Sequence, residues 1–419
     1  MKFAKLSIAA LAVVGFSSSA VAMDMSGVTA KPYVKTKLYY ETIDKDVPNA
    51  PGLFEKDAST GQALVTAGIT GSLDQCWGYG FEYNIADTLG LENNIVSGVR
   101  MGNDEGRGAL QTQDWASQAY VTYSACNTVL SNTTFKIGRQ FLDTPFAFTE
   151  KWNLAQNSFD AIVLLNQDIK NVTLVGAYVG RGNGVFAKVA NGDDFQPYMG
   201  FENETYAVGA MTNLLEGLPI NAWYYSLASI ADAAWVDGAY TLKLADDMNV
   251  GLGAQYGMMM PTASGAGDTA GYAVKASGKV GMFNLMAAYS SVDDDDGKAS
   301  LPLANTATGF KKTKLYTAGI YTDGTGVAVP GSDAFKVKAS VKVPGVGKLI
   351  AQYVSCENDN GKAMQNVDEI DVILATKIAG IGAKLIYMDR DVTHTSATAA
   401  NAKFGMDTQH VRVILSKDF

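Results

Sequence analysis

The feature that most constrains this chain is a two-residue alternation of apolar and polar side chains that recurs along most of its length. In 248–258, Val250, Leu252, Ala254, Tyr256 and Met258 alternate with Asn249, Gly251, Gly253, Gln255 and Gly257. In 335–343, Phe335, Val337, Ala339, Val341 and Val343 alternate with Lys336, Lys338, Ser340 and Lys342. The runs 77–84 and 272–280 follow the same rule, with Trp77, Tyr79, Phe81 and Tyr83 set against Gly78, Gly80, Glu82 and Asn84 in the first. Successive strand side chains point to opposite faces, so each run reads as a strand with one wet and one apolar side. Amphipathic helical periodicity is missing, which argues against an α/β enzyme.

Counting such runs predicts 18 strands, near 29–41, 62–74, 76–84, 112–125, 132–141, 158–166, 172–180, 203–214, 218–228, 231–244, 248–258, 270–280, 282–292, 333–343, 347–356, 366–378, 381–390 and 408–418. The segment 314–321 is a candidate extra strand. The connections alternate between short (Asp74-Gln75, Pro344-Gly345-Val346, Ala379-Gly380) and long (42–61, 85–111, 142–157, 293–332), with one exception near Ser229-Ile230. A soluble sandwich also alternates, but there the apolar face forms a core. Here that face carries Tyr, Phe and Trp at strand ends, as the interfacial girdles of a membrane barrel do. A composition that is 47% hydrophobic, with 43 Gly, 20 Tyr and only 10 Pro, fits a wall apolar outside and polar inside. The expectation is an all-β fold: a transmembrane antiparallel β-barrel of 18 strands, with short periplasmic turns and long external loops.

The chain ends agree. Lys2 and Lys5, the apolar run 6–16 and the small-residue end Ala20-Val21-Ala22 read as a secretory signal peptide, 1–22, leaving one barrel domain over 23–419. No later segment has the 18 or more apolar residues of a membrane helix. Removing the two leader lysines takes the formal net charge from −9 to −11, an acidic balance that argues against nucleic acid as a partner. Val411, Val413, Leu415 and the terminal Phe419 share one face of a closing strand, of the kind the barrel-assembly machinery recognises. Export permits disulfides. Cys76 opens one predicted strand and Cys126 closes the next, which makes them a candidate pair at one rim and leaves Cys356 over.

The segment Phe135 to Pro145 carries Gly138-Arg139-Gln140 followed by Thr144-Pro145. It resembles the strand and following loop of the OprD-like outer-membrane porins, in particular the major porins of epsilonproteobacteria. The resemblance implies an 18-stranded, usually trimeric barrel in a Gram-negative outer membrane, in contact with its lipid and lipopolysaccharide. It also implies that loop 142–157 folds into the lumen, with Asp143, Glu150, Lys151 and Trp152 as candidate lining groups of a constriction.

Alternation assigns the lumen face. It receives Lys35, Lys37, Lys136, Lys243, Lys275, Lys279, Lys336, Lys338, Lys342 and Arg412, against Glu82, Asp237 and Asp368. A basic wall favours carboxylate solutes and an acidic mouth attracts cations, so the sign of selectivity stays open. The run Asp293, Asp294, Asp295 and Asp296 is a weak calcium candidate without an EF-hand pattern; no other cofactor is expected. G-x-S-x-G, P-loop and H-E-x-x-H motifs are lacking, so no enzyme is expected. Three functions compete: passive diffusion of ions and small hydrophilic solutes, a substrate-selective carboxylate-type channel, and a structural or adhesive surface barrel.

Overall fold

The computed structural model describes residues 28–87, 113–126, 128–184, 192, 194–200, 204–215, 217–293, 298–358, 365–394 and 407–419. The expected signal peptide, 1–22, lies outside them. The strands are β1 (Thr29–Lys45), β2 (Ser59–Ser72), β3 (Trp77–Asp87), β4 (Gln113–Ser124), β5 (Thr133–Gln140), β6 (Phe159–Asn166), β7 (Val172–Gly182), β8 (Gln196–Pro197), β9 (Thr205–Leu215) and β10 (Leu218–Leu227). They continue with β11 (Ala231–Ala245), β12 (Met248–Pro261), β13 (Thr269–Val280), β14 (Phe283–Val292), β15 (Ser332–Val343), β16 (Gly347–Asn358), β17 (Gln365–Ile378), β18 (Ile381–His394) and β19 (Thr408–Asp418). Among the described residues, no helix is long and apolar enough to cross a membrane.

Each long strand pairs antiparallel with its neighbour in the chain, and β1 pairs with β19 as well as β2, which closes the ring. The two-residue β8 only extends the end of β7, through Arg181↔Pro197 and Gly182↔Gln196. β7 otherwise pairs directly with β9, so the closed barrel has eighteen strands. Closure leaves no edge with unpaired N–H and C=O groups, the condition for a sheet to sit in hydrocarbon.

Side chains follow the alternation. Leu38, Phe81, Ile137, Val208, Leu252 and Leu285 are exposed on the outer face. Aromatic pairs mark both ends of that apolar belt. Trp77 meets Tyr123 at 4.8 Å beside the short turns, while Tyr178–Tyr206 and Tyr272–Tyr289 lie toward the long loops. The short turns share one rim. In the two-residue turn between β17 and β18, Ala379 and Gly380 have φ of 49° and 80°, as a type I′ hairpin turn requires. The Ser229-Ile230 connection is a tight turn on the opposite rim, with Ala228 and Ser229 at φ of 49° and 58°.

Two expectations about the strands change. Segment 314–321 is not a strand; it lies inside the barrel without ladder pairing. Several strands also run past their predicted ends on the long-loop rim, β1 to Lys45, β12 to Pro261 and β18 to His394. Beyond the apolar belt both faces are polar, so alternation fades while the backbone ladder continues.

At the short-turn rim Cys76 and Cys126 form a disulfide, with Cα atoms 5.5 Å apart, joining the β2–β3 and β4–β5 turns; Cys356 is a buried free thiol. The bridge spans 50 residues of sequence. Loop-closure entropy sets its contribution at about 4 kcal/mol at most. Replacing both cysteines by serine should leave a folded barrel that converts to the slow-migrating, heat-denatured form on SDS gels at lower temperature than the parent. An unchanged conversion temperature would show that the ladder alone holds this rim.

Candidate functional site: a lumen narrowed by two loops

The first loop, 141–158, leaves β5 and turns inward. Residues 142–149 are tied into a small hairpin by Thr149 N–H to the Leu142 carbonyl (2.8 Å) and Thr144 N–H to the Ala147 carbonyl (3.2 Å). At its tip Phe146 is fully buried. Its ring sits edge-on to Tyr225 at 5.6 Å and to Trp235 at 5.4 Å. Both alternate with the exposed outer residues Tyr224 and Val236, so both face the lumen. Gly257 makes room: a Cβ there would lie 2.8 Å from the Trp235 ring and 3.4 Å from Phe146. Further along the loop Leu154 packs with Tyr39, Leu64 and Trp115, and the Lys37 ammonium donates to the Asn153 carbonyl. The loop therefore spans the lumen from the β10–β12 wall to the β1–β4 wall, and the expected inward fold is present.

A second segment, 298–331, which the alternation of connections assigns to an external loop, also folds inward. Asn305 locks it to the first. Its side-chain amide donates to the Phe148 carbonyl (2.9 Å) and to Glu150 (3.1 Å), and its oxygen accepts from the Phe148 N–H (3.1 Å). Thr306 N–H donates to the Phe146 carbonyl at 2.9 Å. Glu150 also accepts from the Trp152 indole at 2.6 Å and from the Thr308 hydroxyl. Glu150 is buried and fastens one loop to the other. Charged or polar groups with little water around them need such partners.

From Lys314 onward this segment lies along the inside of the wall. Gln255 on β12 donates to the Lys314 carbonyl (2.9 Å) and accepts from Tyr316 N–H (3.0 Å). Thr317 bonds Ser290 on β14 (2.6 Å), and Lys336 on β15 donates to the Ala318 carbonyl. Glu369 on β17 accepts from the N–H groups of Ile320 (2.6 Å), Tyr321 (3.0 Å) and Thr322. Tyr321 reaches His410 on β19, with ring centroids 4.8 Å apart. The sequence K-L-Y-T-A-G-I-Y-T reads as a strand, but the chain turns at Tyr316-Thr317, and its hydrogen bonds go to wall side chains and to its own turns instead of a neighbouring strand.

The expected site residues distribute as follows. Asp143 pairs with Lys314 at 2.5 Å. Lys151 is solvent-exposed, with no inward contact. The Trp152 ring has Lys312 and Arg412 5.6 Å from its centroid. Lys35 pairs with Glu82 at 3.4 Å, Lys136 lies 3.8 Å over the Tyr120 ring and Lys275 3.9 Å over Tyr316. Lys279, Lys338 and Lys342 share the faces of Lys275 and Lys336 by strict alternation. Arg412 is buried against Glu41. In the second loop, Asp323 lies 2.9 Å from Lys312; burial pushes its carboxyl up against that attraction. Burial, then the Asp237 carboxylate, pushes the Tyr316 phenol up to about 12, so it stays a neutral donor.

One assignment needs correction. Asp368 faces outward at the long-loop rim and accepts from Tyr353 (2.6 Å), because Glu369 and Asp371 take the inward positions on β17. Lys243 keeps the inward face, alternating with the outward Leu242 and Leu244, and sits at the short-turn rim, where it pairs with exposed Asp246. Of the calcium candidates, Asp293 follows β14 and donates its N–H to the Ala270 carbonyl at 2.8 Å, and Asp294 to Asp296 lie outside the described residues. The sequence reading also missed Glu41, Lys348, Glu369, Asp371, Lys384 and Arg390 on the lumen face. For Glu369 and Asp371 the signal was present, since they alternate with the outward Ile370 and Val372. For Lys384 and Arg390 it was obscured, because Ile386 and Met388 share their face.

No protein-family model matches the chain, and no characterised relative matches it by sequence. Solved structures match it in fold. Acinetobacter baumannii OccAB1 has a TM-score of 0.73 at 15% identity, over 96% of this chain and 99% of that one. Pseudomonas aeruginosa OccK8 (OprE) has 0.69 at 14%, over 93% and 98%. Pseudomonas aeruginosa OpdK, solved with vanillate, has 0.72 at 12%, over 93% and 98%. At such identities the likeness is one of fold.

The Phe146 anchor is testable. Phe146→Ala should cost about 3–5 kcal/mol of local packing and free the first loop from the wall. Trypsin should then cut after Lys151 faster than in the parent while the strands stay protected. Equal cutting would mean that Asn305 and Glu150 hold the loop without the ring.

Proposed function

We propose that the chain is an outer-membrane porin of the OprD-like type, passing ions and small hydrophilic solutes through a lumen narrowed by its two inward loops, with a preference for anions such as carboxylates. A water-lined lumen removes the cost of carrying polar solutes through hydrocarbon. The loops set the size limit and the lining charges set the sign.

One observation carries the anionic preference. The lumen acids have partners: Glu41 in Arg412, Glu82 in Lys35, Tyr33 and Ser117, Asp143 in Lys314, Asp237 in Asn221 and Trp235, Asp371 in Gln352, and Glu369 in three backbone N–H groups. Among the described residues, Lys338, Lys348 and Lys384 form no ion pair. Lys384 is close enough to Lys37, and Lys348 to Lys338, for each pair to repel. Such a surplus of positive charge on one stretch of wall raises the local concentration of anions. Vanillate, the compound in the OpdK structure, is itself a carboxylate.

We further infer a homotrimer in the outer membrane of a Gram-negative bacterium, set among its lipid and lipopolysaccharide and assembled through recognition of Phe419. The Gly138-Arg139-Gln140 to Thr144-Pro145 motif favours kinship with the epsilonproteobacterial major porins. The reading includes no catalytic role and no resident cofactor.

Planar-bilayer recording under a KCl gradient tests this. The parent should give stepwise conductance, in threes for a trimer, with a reversal potential of anion-selective sign. Lys338→Gln with Lys384→Gln should shift it toward cations. Folded protein that gives no steps would overturn the channel, and a cation-selective parent would overturn the assigned preference.

A further inference from the structure

The segment 314–322 is neither helix nor strand; two of its N–H groups bond within it, Ala318 to the Leu315 carbonyl (3.2 Å) and Gly319 to the Thr322 carbonyl (2.8 Å), and the others look outside it for acceptors. Buried in a narrowed lumen, each needs one. Three consecutive ones, those of Ile320, Tyr321 and Thr322, converge on the single carboxylate of Glu369, which is fully buried. Successive N–H groups curled in this way form an anion-binding nest, and here a side chain of the barrel wall fills it. Gly319 supplies a second, independent sign of fit. A Cβ at that position would stand 2.5 Å from the Glu369 Oε1, so only glycine lets the carboxylate seat. On either side Gln255 makes two bonds to the segment, and Ser290, Lys336 and Arg390 reach it as well, but none of them gathers three N–H groups.

We propose that Glu369 is a latch that holds the 314–322 segment flat against the wall and thereby sets the width of the lumen, acting as a positioning residue for permeation. This rests on the channel reading above. With the latch closed the segment follows the inside of β12 to β19 and leaves the centre to solutes; the same bonds fix Lys314 opposite Asp143 and Tyr316 under Lys275. With the latch removed, the three N–H groups lose their acceptor and the segment leaves the wall. The cross-section then fluctuates, and the lining that Lys314 and Tyr316 provide is no longer fixed.

The test uses the full-length trimer in bilayers. Glu369→Gln keeps the volume but replaces one acceptor oxygen with a donor facing N–H groups. Gly319→Ala blocks the seat from the other side and leaves every wall residue unchanged. Both should change the conductance step roughly twofold, with increased open-channel noise, because conductance follows the open cross-section. In a Cys356→Ser background, Ser290→Cys with Thr317→Cys places a disulfide where the two hydroxyls now lie 2.6 Å apart. Closing it in the Glu369→Gln protein should restore the parent step and quiet the noise, and reduction should release it again. A folding defect would not respond to that bond reversibly. Parent-like conductance in both folded single variants overturns the latch, as does failure of both variants to assemble, which would make Glu369 a requirement of the barrel itself. A parent that passes no current instead overturns the channel reading, so the two failures are distinguishable.

Discussion

Everything in this molecule follows from the need to satisfy backbone N–H and C=O groups where no water can reach them. In hydrocarbon an open sheet edge is untenable, so β1 must meet β19 and the ring must close. Closure couples eighteen strands, and alternation then presents one face to lipid and the other to the lumen. The outer belt of Leu, Val, Phe and Tyr and the inner rows of Lys, Glu and Gln are two sides of one constraint.

The same constraint reappears inside. A loop drawn into the lumen carries backbone groups with no ladder to join, and side chains must serve them. Asn305 and Asn157 serve the first loop, Gln255 and Glu369 the second. These polar residues are buried or half-buried, and their partners explain why. The apolar contacts do the complementary work: Phe146 against Tyr225 and Trp235, and Leu154 against Tyr39 and Trp115, build a small core within the lumen instead of between layers of sheet.

Charge is partitioned as a consequence. Carboxylates are drawn into holding the structure together, Glu41 across the β1–β19 seam and Glu369 at the second loop. Lysines with long stems stay at the lumen surface, over tyrosine rings or in water. A chain that is acidic overall thus presents a basic stretch of inner wall, a distinction that net charge does not reveal.

By itself the sequence determined the fold class, the eighteen barrel strands and which residues share a face, because period-two alternation against lipid is a local property written residue by residue. It determined Lys336 and Lys338 on one face and Phe335 and Val337 on the other. It carried the facing of Glu369 and Asp371 as well, in their alternation with Ile370 and Val372. Only the tertiary structure decided that 298–331 folds inward, that 314–321 is a belt and not a strand, and that Glu369 holds it. Those outcomes depend on partners far apart in the chain, such as Asn305 with Phe148 and Glu369 with Ile320. A hydrogen bond between distant segments leaves no periodicity in either one, since nothing local distinguishes a loop that finds an acceptor across the lumen from one that finds it in water.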